Sequence, residues 1–284
     1  MKKIVFSALW FLTSPLLLWA QGPFPTEAQM KAFKASTTCV VLEDDPFSLF
    51  NAVVKDAVEK VWNITPYEFI NTDEFKKRMK DPSYSFLMLT STAFEKDRAG
   101  VNYDFLNLLL GDPVNSLSKM PEFCSFPLAY SGAEDDGYVA KMEVILRFIQ
   151  RHVTNILQHP GNPSLKFRYL KYYNVNMQDL AEKELWLARE DLAPDLRDAG
   201  AIKALYPHPF RLVSRDEIDK ALENPDPRMA FLFKVGPGEN AEEGRVYKMI
   251  LDPQGEMYYF NYHLVSKKKP DGLLPSDLKR LGKF

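Results

Sequence analysis

A seventeen-residue pattern in this chain occurs twice, with Pro, Asp, Glu, Lys and Pro identical between the copies. Pro66-Tyr67-Glu68-Phe69-Ile70-Asn71-Thr72-Asp73-Glu74-Phe75 returns 143 positions later, without a gap, as Pro209-Phe210-Arg211-Leu212-Val213-Ser214-Arg215-Asp216-Glu217-Ile218. The register continues: Lys77 matches Lys220, Met79 matches Leu222, Asp81 matches Asn224 and Pro82 matches Pro225. A period this long does not suit a solenoid and means a duplicated domain. The duplication also raises a pseudo-twofold relation between the copies. The 284 residues agree with about two domains, and 46% hydrophobic content is enough to fill a core.

The first residues read as an export signal. Met1-Lys2-Lys3 is a basic start, Ile4 to Trp19 is apolar, and Ala20 precedes Gln21 at a cleavage-like point. Cleavage at residues 1–20 leaves a periplasmic or secreted chain, and no later stretch is apolar for long enough to span a bilayer. Net charge is -2, and loss of Lys2 and Lys3 takes it to -4. Such a balance argues against nucleic acid or an anionic membrane as partner.

From Gln21 onward the chain is expected to be an α/β protein: two tandem copies of a β-α-β-α-β-β-β-α domain, each a mixed sheet with packed helices. The first copy is placed at 21–159, a connecting segment at 160–183 and the second copy at 184–284. Cys39–Leu42 and Ser83–Leu89 are near-continuously apolar, as buried parallel strands are, with Ser83–Leu89 central. A helix is expected from Pro46 to about Trp62, with Asp45 as its cap. Asn71 or Thr72 is expected to cap the helix Asp73–Lys80. Further strands are expected at Tyr103–Leu110 and Glu122–Tyr130, then a long helix from about Gly137 to Gln158. In the second copy Arg245–Asp252 and Gly255–Ser266 form a hairpin about Asp252-Pro253-Gln254-Gly255.

The chemistry-bearing residues do not converge on a reaction. Glu43-Asp44-Asp45 follows the first strand, where open α/β sheets place ligands, and Glu190-Asp191 stands at the matching point of the second copy. A metal or acid/base role is open there, and so is helix capping. Glu134-Asp135-Asp136-Gly137 lacks the alternating spacing of a calcium loop. The four histidines make no metal-binding pair, and no glycine-rich phosphate loop follows the first strand. No cofactor is implied. The two cysteines, Cys39 and Cys124, are open to a disulfide or to two separate buried thiols. The strand around Tyr258, Tyr259, Phe260, Tyr262 and His263 carries aromatics on both faces. One of these faces is a candidate ligand surface, with burial under the terminal segment as the alternative.

The export signal, the repeated P-[YF]-x-[FL]-[IV]-x-x-[DE]-E core and the Asp81-Pro82 and Asn224-Pro225 pairs before apolar strands resemble exported tandem α/β-repeat proteins of Bacteroidota envelopes. The resemblance implies no catalytic residues. The expectation is a non-enzymatic binding or assembly component of the cell envelope, with another envelope protein as partner. The alternative is a metal-dependent hydrolase using Glu43, Asp44 and Asp45.

Overall fold

A computed structural model describes residues 22–94, 102–130 and 137–284. The expected leader at 1–20, the polar loop at 95–100 and the acidic residues Glu134, Asp135 and Asp136 lie outside the described residues.

The first copy runs α1 (Glu27–Ala35), β1 (Thr37–Val41), α2 (Leu49–Val61), β2 (Tyr67–Ile70), α3 (Thr72–Arg78), β3 (Tyr84–Ala93), β4 (Asn102–Leu110), β5 (Glu122–Tyr130) and α4 (Met142–Gln158). The short helix α5 (Pro163–Arg168) and a 3-10 run, Tyr169–Glu182, lead into the second copy. That copy runs β6 (Glu184–Ala188), α6 (Ala199–Leu205), β7 (Phe210–Val213), α7 (Arg215–Glu223), β8 (Met229–Val235), β9 (Arg245–Leu251), β10 (Met257–Leu264) and α8 (Pro275–Leu281).

Each copy builds a five-stranded sheet with the same plan. The orders are β2-β1-β3-β4-β5 and, counted in the same direction, β7-β6-β8-β9-β10. In both, the first three strands are parallel and the last two antiparallel. The repeated seventeen residues are therefore an edge strand and the helix after it. Asn71 caps α3 by accepting the Glu74 N–H at 2.9 Å. Ser214 caps α7 by accepting the Glu217 N–H, and Glu217 accepts the Ser214 N–H in return. The twice-written Asp-Glu thus serves two helix starts, where acids meet the positive end of the helix dipole.

One helix start differs from expectation. Asp45 accepts the Phe47 N–H two residues on, which holds Pro46 and Phe47 in a turn. Ser48 takes over as cap, accepting the Asn51 N–H, so α2 begins at Leu49. The segment between the copies also carries more structure than a connector, because the 3-10 run covers β10. Asn174 accepts the Phe260 N–H and donates to the Phe260 carbonyl.

The two copies are not related by a pseudo-twofold. The repeat register equates Cys39 with Trp186, since these residues pair with the matched Glu68 and Arg211. The face of the first sheet that carries Cys39, Val41, Phe86 and Met88 packs under α3 in a separate outer cluster. The equivalent face of the second sheet, with Phe231, Phe233, Tyr247 and Met249, joins the core that contains α2 and α4. Its other face, with Leu185, Leu187, Leu232 and Ile250, packs on α6 and α8. Equivalent faces thus meet different neighbours, and the copies stack head to tail with α4 between the two sheets. That position explains why α4 buries Val144, Ile145, Leu146, Phe148, Ile149 and Val153 around most of its girth.

The β9–β10 turn is seated on α4. Gly255 has φ +75°, and a Cβ there would lie 2.5 Å from the Phe148 amide nitrogen and 2.7 Å from the Arg147 Cβ. Only glycine fits both the backbone conformation and the approach. The first copy has no such tight turn, and residues 111–121 connect β4 to β5 in its place. Met120 from that connection fills the outer cluster.

Candidate functional site

A groove lies at the junction of the copies, with a cavity volume of about 680 Å³. One wall is the end of α2, with Lys60, Val61, Asn63 and Ile64. Another is the outward face of α4, with Arg147, Gln150, Arg151, Thr154, Asn155 and Gln158, and the β9–β10 turn adds Gln254 and Glu256. Tyr173 from the 3-10 run closes it. These α4 residues recur at helical spacing, so they form the one polar stripe of an otherwise buried helix.

The groove is framed by hydrogen bonds. Gln150 accepts the Asn63 N–H at 2.7 Å and donates to the Val61 carbonyl at 2.9 Å, tying α2 to α4. Glu143 receives Lys60 at 3.1 Å and Arg147 at 3.2 Å on its two oxygens. Arg151 pairs with Glu256 and so ties α4 to the turn. The Tyr173 hydroxyl meets His152 Nδ1 at 2.8 Å behind the wall. Burial holds the His152 imidazole down to about 3, so the ring is neutral at ordinary pH.

A second polar assembly sits at the carboxyl ends of β6, β7 and β8, where sheets of this type bind ligands. Asp191 follows β6 and accepts from Arg215 at the start of α7, at 2.6 and 3.1 Å from its two nitrogens. Lys234 at the end of β8 pairs with Asp271 and lies 3.9 Å from Asp191. Burial raises the Asp191 carboxyl against the opposing pull of Arg215 and Lys234. In the first copy the equivalent positions are Asp44, Thr72 and Leu89, so this network belongs to the second copy alone. Asp191, Arg215, Lys234 and Asp271 pair with one another, but Asp271 Oδ1 is buried without a hydrogen-bond partner, and Arg215 and Lys234 line a small cavity of about 120 Å³.

The residues singled out from the sequence fall into three groups. Glu43 and Asp45 are exposed and spent locally: Glu43 accepts from Ser48 and Asp45 from the Phe47 N–H. Asp44 is exposed beside them. Among the described residues no group of three or more His, Cys, Asp or Glu stands close enough to hold a metal ion.

The aromatics of β10 are largely covered by the rest of the chain. Tyr258, Tyr259, Phe260 and His263 are buried, and only Tyr262 is half-exposed. Tyr259 donates to Asp277 of α8 at 2.6 Å, Tyr258 donates to Asp252 at 3.0 Å, and His263 Nε2 meets the Pro270 carbonyl at 2.9 Å. The half-exposed Tyr262 is itself covered by Lys171 and Arg245, at 4.7 and 5.2 Å from its ring.

The cysteines are two free thiols. Cys39 on β1 and Cys124 on β5 are separated by β3 and β4, three inter-strand spacings or about 14 Å, where a disulfide needs Cα atoms within about 7 Å. They also belong to different clusters, on opposite sides of the sheet. Burial, reinforced by Glu68, pushes the Cys39 thiol up to about 11, and burial with Glu122 raises Cys124 still further. Neither is an activated nucleophile.

Sequence reasoning passed over the groove residues and the lysines of the second copy. The polar stripe of α4 was visible as the gap in its apolar pattern. A lysine within each of the apolar strands Met229–Val235 and Arg245–Leu251 marked Lys234 and Lys248. No helix among the described residues is long and apolar enough to cross a membrane. Comparison of the chain with protein-family models, with curated proteins and with solved structures gave no match.

Proposed function

We propose that this chain is an exported, non-enzymatic binding or assembly component of a bacterial cell envelope, and that it holds a partner protein in the groove between its two copies. The observation that carries the reading is the groove itself. Its volume falls in the range of ligand sites, and both copies build it. Its lining is dominated by amides and paired cations. His152, Glu122, Cys39 and Cys124, whose ionisation burial shifts strongly, lie in the interior, and Tyr173, which lines the groove, is raised by burial and has its hydroxyl on His152 Nδ1. Catalysis needs a tuned acid, base or nucleophile facing the cleft.

Photocrosslinking in the native host tests this. A photoreactive residue replacing Gln158 in the groove is expected to capture one defined partner, which in turn retrieves the wild-type protein from envelope extracts. The same residue replacing Lys119, far from the groove, is expected to capture none. Equal capture at both positions, or capture at neither, overturns the reading. Fractionation gives the second check, since retention in the cytoplasm contradicts export.

A further inference from the structure

We infer that the end of β10 and the turn after it form a docking face for an anionic membrane surface, with Lys267, Lys268 and Lys269 set among its lipid phosphates. None of these residues lines the groove, so this face is independent of it. Residues 264–284 hold six lysines and arginines against two aspartates, in a chain whose net charge is -2. Both aspartates are engaged in the interior, where Asp271 pairs with Lys234 and Asp277 with Lys248. The cations are exposed: Lys267, Lys268, Lys269, Lys279, Arg280 and Lys283. Among the described residues none of the six takes part in an ion pair.

The fold gathers this charge at one end of the second sheet. Ser266 and Lys269 exchange two backbone hydrogen bonds of 2.9 Å, so Lys267 and Lys268 occupy the tip of a two-residue turn. Leu264, 47% exposed, stands three residues earlier at the end of the strand. Lys171 of the 3-10 run lies over the Tyr262 ring at 4.7 Å, and Arg280 of α8 lies over Tyr259 at 6.0 Å. Burial lowers the Lys171 ammonium from its usual value, and Arg280 adds to the effect. Burial lowers Lys248 too, and Lys269 adds to that against the pull of Asp277. Like charges gathered without counter-charges repel one another, and a negative surface relieves the repulsion.

Lysines on a projecting turn suit an extended surface. An ammonium is a point charge on a flexible stem, without the planar fork that fixes one carboxylate or phosphate. These residues converge on neither the groove nor the smaller cavity beside Lys234. The neighbouring rings are occupied: Tyr259 is buried and Tyr262 lies under Lys171, which leaves no stacking platform for nucleic-acid bases. A layer of lipid phosphates attracts clusters of about four to eight cations and accepts an apolar side chain such as Leu264 at headgroup depth. Outside this segment the chain is net negative, so its field turns the basic end toward the bilayer.

The test is flotation with lipid vesicles of the chain from Gln21 onward, without the apolar leader that would insert by itself. The vesicles are phosphatidylcholine alone, or phosphatidylcholine and phosphatidylglycerol at about two to one. Binding is expected to the mixed vesicles only, and to weaken at least about tenfold between about 0.05 and about 0.5 M salt. K267Q/K268Q/K269Q is expected to weaken it at least about tenfold, and L264S by less. K31Q/K34Q/K55Q removes the same charge from exposed lysines of α1 and α2 and is expected to bind as wild type does. Unfolding midpoints separate a folding defect from lost docking, and if the triple turn variant fails to fold, K267Q/K268Q carries the test. Equal flotation with the neutral vesicles overturns the inference, as does unchanged binding of the turn variant or an equal loss in the control. Displacement by millimolar inorganic phosphate, or tighter binding of a single-stranded oligonucleotide or an acidic peptide, puts another ligand on this face and overturns it too. Loss of vesicle binding leaves capture at Gln158 untouched, so the two proposals fail separately.

Discussion

The two copies share a strand order and solve their interiors differently. Where β9 of the second copy has Lys248, β4 of the first has Leu106, and where β10 has Met257, β5 has Glu122. These pairs follow from the matched ladders, in which Phe86 meets Leu109 and Phe231 meets Leu251, and Leu109 and Leu251 in turn meet Glu122 and Met257. A duplicated backbone tolerates a buried charge in place of an apolar side chain only if the surroundings supply partners. In the second copy α8 supplies them. Lys248 reaches Asp277 at 2.5 Å, and Asp277 also receives Tyr259, Asn261 and the Leu274 N–H. Burial alone would raise the Asp277 carboxyl, but Lys248 and these donors outweigh it and hold it below the usual carboxylate range. In the first copy the N-terminal segment does the same for Glu122, through the Gly22 N–H at 2.9 Å.

The sharpest way to break this comparison is to remove one partner. Asp277→Ala leaves Lys248 buried and unpaired, and is expected to cost about 3–5 kcal/mol in denaturant unfolding. Combining Asp277→Asn with Lys248→Met makes the site resemble the apolar first copy while keeping an acceptor for Tyr259 and Leu274. At least half of the loss should return. A double variant as unstable as the single would show that the lysine is not an alternative to leucine at this position.

Next in size is the seat of the second copy on α4. Gly255→Ala places a Cβ against Phe148 and Arg147 at a positive φ, and is expected to cost about 2–3 kcal/mol. The position closes the groove, so the variant should also lose affinity for any groove ligand. Unchanged stability would mean that the turn does not hold the copies together.

Glu122 gives the comparison a pH dependence. Burial raises its carboxyl to about 7, against the pull of the Gly22 N–H. The folded value lies above the unfolded one of about 4.5, so the folded state binds the proton more tightly. Stability from this group is complete below about pH 4.5 and is lost as pH rises to about 7, on the order of 3 kcal/mol. Glu122→Gln keeps an acceptor for Gly22 and removes the titration. The stability difference between wild type and this variant should change across that window and be flat outside it. His152, held neutral, acts in the opposite sense as pH falls, and the subtraction removes it.

Much of the architecture was legible because its signals are local. Tyr67–Ile70, Asn71 as a cap, Glu122–Tyr130 and the turn at Asp252–Gly255 are each written within a few residues. What escaped depends on contacts distant in sequence. The groove joins Lys60, Arg147 and Glu256, whose common position follows only from how the copies stack. The aromatics of β10 gave no sign of which element would cover them, because the 3-10 run Tyr169–Glu182 has no strong apolar period. The cysteines looked pairable because both lie on strands of one copy, but strand order, which sequence spacing does not reveal, put two strands between them.

The smallest expected effect returns to the residues written twice. Asn71→Ala and Ser214→Ala each remove a helix cap at the same place in the repeat, and each should cost about 1 kcal/mol. Capping is local, so the starting expectation is equality to within about 0.5 kcal/mol. The surroundings are not equal: α3 lies on the outer cluster, whereas α7 puts Ile218 into the shared core and Asp219 onto Lys141 of the first copy. A markedly larger loss at Ser214, measured by denaturant unfolding, would show that α7 transmits its cap to the junction. Equal losses would show that the repeated motif is a self-contained strand–helix unit, and that the differences between the copies reside in what packs against it.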